Sequence, residues 1–92
     1  MRDDPLDPAE PYNRIVAEMR EIYLAKNADY GDSFRASWRE WGMIAAVVRM
    51  DDKMRRLKKL LKADARVPET VRDTLLDLAN YAIMSAMEVD RD

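Results

Sequence analysis

Asp73, Asp77, Asn80 and Glu88 stand four, three and eight residues apart, spacings that stack them on one side of a helix with Tyr81 beside them. Carboxylates one helical turn apart repel each other by about 0.2–0.5 kcal/mol. Bulk water, an opposing cation or a bound metal relieves that repulsion. A hard dication such as Mg²⁺ is commonly held by one or two carboxylates, with water completing its shell. Asp73 and Asp77 are therefore candidate metal ligands and, through a metal-activated water, candidate catalytic residues. Asp52 is a third candidate metal ligand if its helix turns it toward them. Asp52 belongs to the run Arg49-Met50-Asp51-Asp52-Lys53-Met54-Arg55-Arg56, where Arg49, Lys53 and Arg56 are candidate phosphate-binding cations. The ordinary alternative is that Asp51 pairs with Arg55 and Asp52 with Arg56 at i, i+4, leaving charged faces in water. A third constellation is Lys26-Asn27-Ala28-Asp29-Tyr30-Gly31-Asp32, a predicted turn in which Lys26, Asn27, Asp29 and Tyr30 are candidate ligand-binding residues, joined by Asn80 and Tyr81.

The rest of the chain bounds this chemistry. With no Cys and no His, the protein lacks a thiol nucleophile, an imidazole base and the usual zinc ligands. Sixteen Lys and Arg against 18 Asp and Glu leave a net charge of −2, which offers no field to hold duplex nucleic acid. No apolar run approaches the roughly 18 residues of a membrane span, so a cytoplasmic, all-α protein is expected, with an N-terminal arm over 1–10 and one helical domain over 11–92. Periodicity predicts helices near 11–26, 33–41, 43–63 and 70–88, forming a small antiparallel bundle of three long helices and one short aromatic one. Ser33 is the expected cap of the second helix and Gly42 its stop.

On the third helix Met43, Val47, Met50, Met54, Leu57 and Leu61 form the expected core stripe, with Lys53 and Asp51 on opposite flanks. On the fourth, Val71, Leu75, Leu78, Ala82 and Ala86 are expected to face the core. A helix apolar over more than half its circumference, in so short a chain, implies a homo-oligomer, most simply a dimer, with the third and fourth helices at the contact. Trp38 and Trp41 fit either the core or a base-stacking role.

Three segments, Lys26 to Ser33, Arg49 to Leu57 and Asp73 to Ala82, together resemble the nucleotide-modification-associated domain 1 family of phage and bacterial proteins. That resemblance implies a link to nucleotide metabolism or to modified bases. The order of a long helix, a break and a helix reading Asp-Leu-Ala-Asn-Tyr is more distantly similar to the MazG-like and dimeric dUTPase-like pyrophosphohydrolases. Those enzymes bind Mg²⁺ through acidic residues on facing helices. Thr74 stands three residues before Asp77, where they carry Glu, and the nearest earlier acidic pair is Glu18 and Glu21. The leading expectation is a Mg²⁺-dependent (deoxy)nucleotide phosphohydrolase. The alternatives are an oligomeric binder that sequesters or delivers a nucleotide without turnover, and a structural helical module.

Overall fold

The computed structural model describes residues 8–30, 32–62 and 68–91. Every element in it is a helix: α1 (Ala9–Tyr30), α2 (Ser33–Trp41), α3 (Met43–Lys62) and α4 (Pro68–Arg91). The all-α expectation is met. Among the described residues no helix is long and apolar enough to cross a membrane. The chain divides into two compact units, Met1–Gly31 and Asp32–Asp92.

The first unit is α1. It runs four residues beyond the predicted end at Lys26, so Asn27 to Tyr30 continue the helix instead of turning. Asn and Asp each cost a helix only about 0.7 kcal/mol or less relative to Ala. Two such residues do not stop a helix of 22. The conformation expected of Gly31, the side chains of Asp29 and Tyr30, and most of the N-terminal arm lie outside the described residues.

In the second unit α2 and α3 begin where predicted, and the residue between them explains how they can meet. Gly42 has φ 76° and ψ −162°, a region open in practice only to glycine, and its N–H donates to the Trp38 carbonyl at 2.7 Å. Its own carbonyl accepts from Ala45 N–H at 3.0 Å, so one residue ends α2 and starts α3. A Cβ at Gly42 would meet nothing within 4 Å. Gly42→Ala should therefore destabilise the domain by about 1–3 kcal/mol through backbone strain alone, as urea unfolding would measure; an unchanged midpoint would refute this. The N-cap position of α2 is held by Asp32, not Ser33, and without a side-chain hydrogen bond. The Asp32 carbonyl instead receives Ala36 N–H at 3.1 Å. α4 opens at Pro68, two residues before the expected start, because a proline lacks only an N–H that the first turn leaves unpaired in any case.

The core of this unit is Phe34, Trp38 and Ala46, with Met50, Tyr81 and Met84 packed against it. Phe34 lies tilted against both Trp38 and Tyr81, its ring centroid 6.3 and 5.9 Å from theirs. α3 and α4 run antiparallel: Arg49 meets Tyr81, while Lys53, further along α3, meets Asp77, further back on α4.

The faces that meet are not those the apolar pattern selects. On α3 the inward residues are Ala46, Arg49, Met50, Lys53 and Leu57, while Met43, Val47, Met54 and Leu61 of the expected stripe are exposed. On α4 Thr74, Leu76, Asn80 and Glu88 are buried, whereas Leu75, Ala82 and Ala86 are exposed and Val71 and Leu78 are only half-buried. The inward polar side chains have partners: Lys53 meets Asp77 and Arg49 meets Tyr81 between α3 and α4, Glu88 reaches Arg35 on α2, and Thr74 bonds within α4. A buried polar group with a partner costs little, so this facing is tolerated.

Candidate functional site

Thr70, Asp73, Thr74 and Asp77 follow one another at intervals of three and one to form one wall of a cleft, and Lys53 and Arg56, three residues apart on α3, form the other. The Lys53 Nζ sits 3.2 Å from the Asp77 Oδ2, with each side chain about a quarter exposed. Thr74 is buried and its hydroxyl donates to the Thr70 carbonyl at 2.7 Å. The open cleft has a volume of about 310 Å³, at the lower end of small-ligand sites. The cleft is thus lined by two cations, two threonines and two carboxylates, with the Thr74 proton already committed to the helix backbone. The wheel reading that set Lys53 and Asp51 on opposite flanks of α3 holds, and the flank facing α4 is that of Lys53.

Asp73, Asp77, Lys53 and Arg56 come together in the cleft. Asp52 is exposed and does not line it, and among the described residues no three carboxylates gather as a metal-binding group. Asp51 accepts a hydrogen bond from Arg55 Nε at 2.6 Å on the outer face, and that carboxylate holds the Arg55 proton more tightly than usual. Lys26 and Asn27 are exposed on α1, in the other unit.

Arg49 is not in the cleft. Its guanidinium lies 5.9 Å from the centroids of both Phe34 and Tyr81 and donates to the Ser37 hydroxyl at 3.3 Å. Such a cation between aromatic faces is held by their quadrupoles and ties α3 to α2 and α4. Tyr81 is thereby occupied with the core, and Asn80, buried beside it in sequence, also has a partner. Trp38 is core, whereas Trp41 is 66% exposed and lines a second, mostly apolar groove with Ile44, Ala45 and Val48. Glu88, read as part of the same polar strip, is buried at the far end of α4, where Arg35 Nε lies 3.6 Å away and Arg91 pairs with its other oxygen.

The sequence reading assigned no site role to Arg35, Thr70 or Thr74, although Thr74 stands at a motif position. A signal was present for the threonines, which share the face of Asp73 and Asp77 by helical spacing. Nothing marked Arg35, because its partner is 53 residues away.

Neither the curated proteins nor the solved structures include a significant match to the chain. A family model described as nucleotide modification associated domain 1 matches residues 26–89. The match takes in the end of α1, all of α2 and α3, and α4 to its last turn, and with them every side chain of the cleft. The chain belongs to the nucleotide modification associated domain 1 family.

Proposed function

We propose that the protein binds a nucleotide by its phosphate groups in the cleft between α3 and α4. The observation that carries this reading is the Lys53–Asp77 pair, with Arg56 beside it at the same cavity. A phosphate oxygen is a better partner for an ammonium group than a single carboxylate, because it adds charge and acceptors together. An entering phosphate would take Lys53 from Asp77 and gain Arg56, and the Asp77 carboxylate would then face a sugar hydroxyl or a cation accompanying the nucleotide. The family's description, which ties it to nucleotide modification, supports a nucleotide over another phosphorylated ligand.

Binding without turnover is the reading that the Lys53–Asp77 pair favours, since one of the two cleft carboxylates is already neutralised by an ammonium group. Mg²⁺-dependent hydrolysis of a (deoxy)nucleotide is the second reading. It is supported by Asp73 and Asp77 lining one cleft a single turn apart, where they could hold a cation brought in with the phosphates.

A thermal-shift panel of nucleosides and their mono-, di- and triphosphates, with Mg²⁺ or with chelator, tests both. Phosphorylated members should stabilise the fold by about 2.7 kcal/mol at a hundred times their dissociation constant, and the nucleosides by far less. Equal stabilisation by nucleosides, or none by any member, would sink the proposal. Intact ligand recovered after incubation with Mg²⁺ selects the binder; released phosphate or pyrophosphate, abolished by chelator, selects the hydrolase.

A further inference from the structure

The face of α4 turned away from α3 carries Leu75, Ala79, Ala82, Ala86 and Val89 at intervals of four, three, four and three residues. That alternation keeps one row of side chains aligned with a second packed helix. Leu75 and Val89 are each 49% exposed, Ile83 at the margin is 47% exposed, and Ala82 and Ala86 are exposed between them.

We propose that this row packs against the same row of a second copy of the chain, with the two α4 helices antiparallel about a two-fold axis at Ala82. The row is complementary to itself in size. An axis at Ala82 sets Leu75 opposite Val89 of the partner subunit at both ends, and the alanines between let the axes approach to about 8 Å. It is also complementary to itself in charge. Arg72 and Asp90 are exposed on one flank of the row, separated by 18 residues, which is five full turns. Antiparallel pairing brings Arg72 beside Asp90 of the partner subunit, and symmetry repeats the contact. Parallel pairing would instead leave Arg72 and Asp90 five turns apart and on opposite sides of the seam, with no contact between them. A surface that matches itself in both respects selects a second copy as its occupant. Because the row lies on the back of α4, the α3–α4 cleft stays open in the dimer.

The test uses charge exchange and a cysteine probe. The protein has no native Cys, so any disulfide reports the introduced residue alone. Light scattering at micromolar concentration should give the mass of two chains. Arg72→Asp and Asp90→Arg should each raise the dimer dissociation constant at least fivefold, and the double exchange should restore it to within twofold. Under mild oxidation Ala82→Cys should yield a disulfide-linked dimer, whereas Arg39→Cys on exposed α2 should remain monomeric on a non-reducing gel. The mass of a single chain, a double exchange no better than the single ones, or Leu75→Cys linking as readily as Ala82→Cys would overturn the proposal.

Discussion

Replacing Lys53 by glutamate is expected to weaken nucleotide binding at least a hundredfold, about 2.7 kcal/mol. The ammonium faces the cleft 3.2 Å from Asp77, and Asp73 lines the same wall. Charge reversal removes the cation proposed to meet phosphate and sets three carboxylates around the space the phosphate would enter. In a partly desolvated cleft those charges are screened less than at the surface. Lys53→Met keeps most of the packed stem while losing the charge, and should cost at least tenfold, about 1.4 kcal/mol. Calorimetric titration of each variant, with circular dichroism to verify the helices, checks the pair. Asp77→Asn has a sign that divides the two functional readings. A binder loses a competitor for Lys53 and should hold nucleotide as tightly as the parent or more so, while a hydrolase should lose turnover.

The second large effect concerns stability. Glu88→Ala should destabilise the domain by about 2–3 kcal/mol. The Glu88 side chain is 6% exposed and faces Arg35 Nε at 3.6 Å on one side and Arg91 on the other. The Arg35 Nε is buried and makes no hydrogen bond, so its only compensation is the Glu88 charge. Truncation leaves that donor with neither charge nor acceptor, and an unpaired buried group bears its full desolvation penalty. Arg91 and the outer part of Arg35 reach solvent, which keeps the loss below that of a fully enclosed pair. Urea unfolding should show the drop, with Glu88→Gln losing less because the amide oxygen still accepts. A change under about 0.5 kcal/mol, the range of ordinary surface substitutions, would show that Glu88 holds nothing.

The elements of this fold are legible in the sequence, and their facing is not. The ends of α2 follow from Gly42 and from the aromatic spacing of Phe34, Trp38 and Trp41, all local signals. The length of α3 follows from its unbroken pattern. Which side of α3 and α4 turns inward depends on where partners stand on other helices, and apolar periodicity carries no record of them. Leu75, Ala82 and Ala86 read as core because they are apolar; they lie outside because Asp77, Tyr81 and Glu88 have partners in Lys53, Arg49 and Arg35. The candidate cleft was half legible for the same reason. Asp73 and Asp77 share a helix face by arithmetic, and the flank of α3 carrying Lys53 and Arg56 is equally arithmetic. Their meeting is a tertiary fact.

The most direct test of phosphate binding at this cleft is an amide NMR titration with an equimolar mixture of the four common deoxynucleoside triphosphates. The account predicts saturable shifts centred on Lys53, Arg56, Thr70, Asp73, Thr74 and Asp77, the residues that line the cavity, and the loss of those shifts in Lys53→Glu. Shifts centred instead on Trp41, Ile44 and Val48 of the apolar groove, or a spectrum that does not move, would contradict it.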